Sequence, residues 1–375
     1  MRIGILGGGQ LGRMFIQEAL KYDNEFYVLD PSADCPSANI AQVTLGNFNN
    51  YDEVLAFGQG KEVLTMEIEH INVAALETLE KQGVKVIPSP GIVKMIQQKI
   101  LQKRFYKEKG IPSPNFSVYR KGEAVPDRSF PFVQKLNTGG YDGKGVQVIE
   151  NKGQLSLLWE EDSVLEDLVE VKKELSVIVA KNENGETRTF PVTEMVADPE
   201  LNLLDFNICP AEISPSVGLQ VQNITRKFLS CIDSPGLFAI ELFWDKNDKV
   251  WVNEIAPRLH NSGHQTQEGN YNSQFEQFYR VLCNLPLADT GHRAFSGMLN
   301  LVGEKGYEGK VIYEGLEEVL RLPKTYVHLY GKKETRSGRK MGHINVVADT
   351  RAELVKKLSQ IKSGVKVRSR GQRDM

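Results

Sequence analysis

Cysteine is scarce in this chain: Cys35, Cys209, Cys231 and Cys283 are its only four, and no two form a CxxC pair. That scatter suits neither a disulfide framework nor a cysteine zinc site, so the thiols are expected to be reduced and structural. Long apolar runs are also missing, and none nears the roughly 18 residues that a membrane span needs. The chain opens on Arg2-Ile-Gly-Ile-Leu6, a strand pattern without the charged and apolar regions of a leader, so a cytoplasmic protein with no membrane partner is expected. Neither sign of charge dominates. A net charge of −2 gives no electrostatic case for nucleic acid, and any polyanion site must be local. What is present is ordinary for a globular protein: 41% hydrophobic and 25% charged residues in a chain of 375. At roughly 100–200 residues per domain, that length implies two or three domains.

Glycine is concentrated in one stretch, residues 135–148, reading KLNTGGYDGKGVQV. Gly139, Gly140, Gly143 and Gly145 lie between an apolar run and a β-branched run, the pattern of a glycine-rich hairpin tip. Backbone N–H groups in such a tip can approach anionic oxygens that a Cβ would obstruct, and Lys135 and Lys144 add charge. The stretch is no Walker A loop, because Gly145 follows Lys144 where Ser or Thr is needed and a strand follows where a helix is needed. An ordinary glycine-rich turn would carry the same residues.

The first ninety residues alternate strand and helix patterns, as an open parallel sheet does. Gly7-Gly-Gly-Gln-Leu-Gly12 follows the first strand and Asp30 ends the second, which matches a dinucleotide fingerprint. Such glycines also serve any doubly wound domain. Glu67 and Glu69, on a strand over 63–68, are expected on one face at the ligand edge. A single helix carrying Ile92, Ile96, Ile100 and Leu101, with Lys94, Lys99 and Lys103 on other faces, is expected before Gly110. Domain limits fall at 1–98, 99–290 and 291–375.

From 115 to 196 short strands with short gaps predict an antiparallel lobe, the last of them over 189–196. After a helix over 217–232 comes a hairpin of greater chemical content, 237–255. If its turn is centred between Asn247 and Asp248, Glu241 and Glu254 face each other at about 4.5–5.5 Å between Cβ atoms. Such a pair repels unless a cation joins it, and Mg²⁺ would also hold phosphates; the plain alternative pairs one Glu with a base such as Arg258. Strict alternation turns Asn253 away from Glu254 unless the strand bulges. His260 and His264 have i, i+4 spacing, but the intervening residues make a poor helix and no HExxH is present, which argues against zinc. Lys332, Lys333, Arg336, Arg339 and Lys340, between Gly331 and Gly342, suit a phosphate or carboxylate, or form a solvated loop.

ILGGGQLGRM, TGGYDGKG, NEIAPRLHNSGH and HLYGKKETRSGRKMGHIN, in that order, resemble the ATP-grasp family of N5-carboxyaminoimidazole ribonucleotide synthetases of purine biosynthesis, over nearly the whole chain. The resemblance implies an α/β and α+β protein of ATP-grasp fold with a parallel N-terminal domain. It implies that ATP, bicarbonate and 5-aminoimidazole ribonucleotide give ADP, phosphate and the N5-carboxylated ribonucleotide through carboxyphosphate. It assigns Lys99 and Lys135 to the ATP phosphates, and Gly140, Tyr141, Asp142, Gly143, Lys144, Gly145 and Val146 to a lid. Glu166, Asp167, Leu168 and Val169 would follow the adenine and Glu174 the ribose. Glu241 and Glu254 would carry Mg²⁺, as two ions, with Asn253 beside them. Asp142, Lys332 and Arg339 become catalytic residues, Asp142 near the base and the cations, with Lys340, on the 5′-phosphate. Gln10, Leu11, Glu67, Asn261 and His264 become further ribonucleotide contacts, and a homodimer is implied.

The chain departs from that pattern where Thr193-Glu-Met-Val-Ala197 lacks the Asn and His usual after this strand. Gln265 replaces a Trp, Leu259 a Pro, and Met66, Ile68 and His70 alter the common TFEFEN. Rival readings are a sister ligase such as formate-dependent glycinamide ribonucleotide transformylase, a nicotinamide-dependent oxidoreductase, and a nucleotide-binding regulator without turnover.

Overall fold

The computed structural model describes residues 1–140, 144–201 and 203–370. Its N-terminal part is a parallel sheet of five strands in the order Gln42–Leu45, Glu25–Asp30, Arg2–Leu6, Val63–Met66, Lys85–Val86. The helix Gln10–Ala19 buries Leu11, Met14, Phe15, Ile16 and Ala19, an apolar stripe of helical period that seats it on the sheet. The strand Val63–Met66 is shorter than expected and ends before Glu67, so Glu67 and Glu69 do not share a strand face.

The expected single helix is two, Pro90–Gln97 and Lys99–Lys109, broken at Gln98, which is extended (φ −116°, ψ 107°). Asn137, at the foot of the glycine-rich tip, caps the second helix. Its carbonyl accepts from the Lys99 N–H at 2.9 Å and its Oδ1 from the Ile100 N–H at 3.0 Å. The tip and the lysine-bearing helix are therefore fixed to each other.

The small lobe is an antiparallel sheet of four strands in the order Phe116–Tyr119, Ser163–Asp167, Phe132–Leu136, Val146–Ile149. The larger lobe is a sheet of nine strands. It runs Val250–Ala256, Gly236–Asp245, Val171–Lys181, Thr193–Ala197, Leu204–Ile208, Phe295–Val302, Lys340–Ala348, Thr325–Leu329, with Thr187–Thr189 paired to Val171–Lys181. The strand expected over 189–196 is split, since Pro191 lacks the N–H that a continuous ladder requires. Helix Pro215–Cys231 buries Val217, Val221, Ile224 and Phe228 against one face. Helix Arg351–Gly364 buries Leu354, Leu358 and Ile361 in the core of the last strands. Among the described residues no helix is long and apolar enough to cross a membrane.

Candidate active site

The hairpin Gly236–Asp245/Val250–Ala256 carries the first half of the site. Its turn is tied by Asp245, whose carboxylate accepts from the Asn247 and Lys249 N–H groups at 2.8 and 2.9 Å. The pairs Trp244↔Val250 and Leu242↔Val252 centre the turn on Asn247, earlier than expected. The register then shifts, and Glu241 pairs with Glu254 after all. Asn253 is the extra residue of this bulge. It lets neighbouring side chains serve one cleft: Asn253 Oδ1 accepts from Lys135 Nζ at 2.7 Å, and Glu254 accepts from Lys99 Nζ.

Glu174, paired with Phe243 on the adjoining strand, lies diagonally from Glu241 on the same face. Burial first, then Glu254 and Glu174, push the Glu241 carboxyl well above the usual range, while the Lys99 ammonium holds Glu254 well below it. His260 Nε2 stands 3.3 Å from Glu241 Oε1, and Arg258 pairs with Glu69 at 2.8 Å, not with either hairpin carboxylate. Among the described residues no three metal-ligating side chains form a group. Two facing carboxylates that resist joint ionisation still fit Mg²⁺, which takes one or two carboxylates and fills its octahedron with phosphate oxygens and water.

Lys135 is 8% exposed and Lys103, expected on a face other than the apolar stripe, is 1% exposed. Glu166 bridges them, Oε1 at 3.0 Å from Lys103 Nζ and Oε2 at 3.1 Å from Lys135 Nζ. The Glu166 side chain is thus committed to lysines, and only its backbone remains for an adenine. Asp167 is held by Arg128 at 2.6 Å and Asn115 at 3.0 Å, while Leu168 is exposed. Burial raises the Glu174 carboxyl. Of the residues expected in the lid, Gly140, Lys144, Gly145 and Val146 are described, with Gly145 at φ +75°, whereas Tyr141, Asp142 and Gly143 lie outside the described residues.

The second half of the site joins opposite ends of the chain. Lys332 Nζ donates to Gln10 Oε1 at 3.0 Å and to the Lys340 carbonyl at 2.8 Å, and Arg339 donates to the Glu334 carbonyl at 2.7 Å. Burial, then Arg339, lowers Lys332 to about 8. Beside it the glycine loop is already filled. Gly8 N–H donates to Asp30 at 2.8 Å, Gly12 N–H to Glu67 Oε2 at 2.7 Å, and Gly9 N–H to Glu67 Oε1. A pyrophosphate would need these same donors. A Cβ on Gly7 would stand 2.6 Å from the Glu67 side chain, so the glycines make room for a carboxylate of this chain. Leu11 is buried in the core, which leaves its backbone for any ligand.

The turn after the hairpin holds Asn261 and His264. Among the described residues, neither buried side-chain polar atom of Asn261 has a hydrogen-bond partner. The His264 ring is 1% exposed, stacked on Phe275 at 5.9 Å and 4.6 Å from His343, and burial holds its pKa well below the usual value. Lys103 is the residue that sequence reasoning missed. Its i, i+4 spacing from Lys99 was the available signal.

Family models match an ATP-grasp domain over residues 104–275, a ribonucleotide synthetase preATP-grasp domain over 1–97 and a phosphoribosylaminoimidazole carboxylase C-terminal domain over 296–357. The N5-carboxyaminoimidazole ribonucleotide synthase of Aquifex aeolicus is 33% identical, the alignment covering 96% of each chain. The chain belongs to this family of ATP-grasp ligases. The synthetase from Thermotoga maritima superposes with a TM-score of 0.89 at 39% identity over 98% of this chain and 99% of that one. That from Aspergillus clavatus, solved with ADP and 5-aminoimidazole ribonucleotide, superposes at 0.87 with 29% identity over 96% and 97%. Some relatives are longer: the chain spans 66% of the Saccharomyces cerevisiae phosphoribosylaminoimidazole carboxylase.

Departures from the synthetase pattern are accommodated by packing. Gln265, in place of a Trp, donates to Thr193 Oγ1 at 3.1 Å and accepts from Asn207 at 3.2 Å, so a buried amide closes the gap next to the strand Thr193–Ala197. Leu259 and Met66 are buried in apolar cores.

Proposed function

We propose that this ATP-grasp ligase carboxylates 5-aminoimidazole ribonucleotide with bicarbonate, converting ATP to ADP and phosphate and giving the N5-carboxyamino product of IMP biosynthesis. The observation that carries the reading is the Lys332 to Gln10 bond, which brings the cationic loop of the C-terminal segment against the first loop of the N-terminal domain. The clustered cations of that loop support reading it as the phosphate site of the ribonucleotide, with Lys135, Glu241 and Glu254 serving ATP. The segmentation that accompanies it is 1–98, 99–290 and 291–375.

In this reading Lys99 and Lys135 draw the triphosphate into the cleft, with Glu174 on the ribose and the backbone of 166–169 along the adenine. Glu241 and Glu254 hold Mg²⁺, which when bound neutralises phosphate charge. Bicarbonate attacks the γ-phosphate to give carboxyphosphate and ADP, and the amine of the ribonucleotide takes the carboxyl group. The lid over 140–146 excludes water that would hydrolyse carboxyphosphate. The role assigned to Asp142, which lies outside the described residues, is at the reacting base. Lys332, Arg339 and Lys340 bind the 5′-phosphate, and Asn261 offers the substrate an amide otherwise unsatisfied. A cytoplasmic homodimer completes the proposal.

The test is ADP release with ATP and Mg²⁺. Dependence on bicarbonate and aminoimidazole ribonucleotide supports the reading, and dependence on formate and glycinamide ribonucleotide replaces it with the sister transformylase. ATP binding with no turnover on either pair would make the chain a regulator.

A further inference from the structure

The buried lysine on the helix Lys99–Lys109 has no place in the mechanism above. Lys103 is 1% exposed, too deep to touch a nucleotide, and it ends in two contacts: Glu166 Oε1 at 3.0 Å and Ser113 Oγ at 2.6 Å. The same carboxylate turns its other oxygen to Lys135 at 3.1 Å. Glu166 is itself 2% exposed, so neither of its charge partners is replaced by water. Burying charge is costly, and a fully buried Lys serves stability poorly compared with an apolar residue of the same size. Its presence at this point calls for a reason other than packing.

The charge count supplies one. With Glu166 alone, Lys135 would belong to a neutral pair and could take both carboxylate oxygens, drawn away from Asn253 Oδ1 at 2.7 Å. With Lys103 present, one carboxylate is shared by two ammoniums, and the buried group keeps one net positive charge where Lys135 meets the cleft. The groups that face Lys103 are Glu166, Lys135, Lys99 and the Tyr106 ring at 5.8 Å. Lys99 is meanwhile occupied by Glu254, so the surplus charge falls to Lys135.

We propose that Lys103 is a positioning residue for ATP: by sharing Glu166 it prevents that carboxylate from neutralising Lys135 and holds the Lys135 ammonium, as a net cation, toward the nucleotide phosphates. The inference rests on the reading of Lys135 as a phosphate contact. Lys103 itself touches no substrate, and the effect is carried by charge and by the place of the Glu166 side chain.

The test is a charge-compensating set of variants, each assayed for KM of ATP, KM of the ribonucleotide and calorimetric affinity for ADP. Lys103→Met should weaken ATP and ADP by about tenfold, while the KM of the ribonucleotide stays within about twofold. Lys103→Arg should keep the affinities of the native protein. The double variant Lys103→Met/Glu166→Gln restores one net positive charge, and it should recover ATP affinity to within about threefold of the native value. A residue needed only for packing would give a double variant as weak as Lys103→Met or weaker, or an equal loss for both substrates, and either result overturns the proposal. If Lys103→Met does not fold, the double variant decides alone: near-native ATP affinity supports the proposal and a tenfold loss ends it. Lys135→Met separates the two readings. An unchanged ATP affinity there removes the phosphate role of Lys135 and the inference with it, whereas a large loss there with none in Lys103→Met removes only the inference.

Discussion

Glu241 and Glu254 face each other across a hairpin whose turn, continued as a regular ladder, would not pair them; the single extra residue Asn253 brings them back into register. The bulge also turns Asn253 to Lys135, so one irregularity supplies both the carboxylate pair and the amide that accepts from the Lys135 ammonium.

Glu254→Gln keeps the size of the side chain and removes the charge that balances Lys99. Turnover should fall by at least about 100-fold, on the scale of losing a group that stabilises transferring phosphoryl charge. Thermal unfolding should shift little. Full activity at ordinary Mg²⁺ would remove the metal role.

Arg339→Ala should raise the KM of the ribonucleotide far more than that of ATP, through loss of a charge-assisted phosphate contact of about 1.5–3 kcal/mol. Comparable rises in both would assign the cationic loop to the nucleotide.

Lys332, lowered to about 8 by burial and by Arg339, is protonated below that pH and neutral above it. The KM of the ribonucleotide should therefore rise as pH passes upward through about 8, where a cation facing a phosphate dianion is lost. Lys332→Arg, charged throughout, should flatten that rise. The same inflection in Lys332→Arg would assign the titration to another group.

Gly9→Ala would drive a methyl group into the Glu67 carboxylate that the Gly9 and Gly12 N–H groups hold. Loss of the bonds at the helix N-terminus should cost about 1–3 kcal/mol of stability, read from denaturant unfolding, together with a raised ribonucleotide KM. Because the loop N–H groups are already satisfied, NADH fluorescence should not increase with the native protein; an increase would revive the dinucleotide reading.

The sequence by itself determined what local pattern and composition can carry. Alternating apolar segments specified the parallel N-terminal sheet and the antiparallel lobe, and the glycine tip was legible because positions such as Gly139 and Gly145 take a positive φ that glycine adopts without a Cβ penalty. Strand periodicity pairs Glu241 with Glu254 for a turn centred between Asn247 and Asp248, whereas the turn centres on Asn247 and the Asn253 bulge makes the pair. Tertiary structure alone decided which charges meet. Lys103 reads as a lysine off the apolar stripe of its helix until the fold buries it against Glu166, and Glu67 reads as sharing a strand face with Glu69 at the ligand edge until the fold sets it under Gly9 and Gly12. Lys332 and Gln10 lie 322 positions apart, and no local propensity reports such a bond. Charge pairing depends on distance in space and on exclusion of water, and both exist only once the chain has folded.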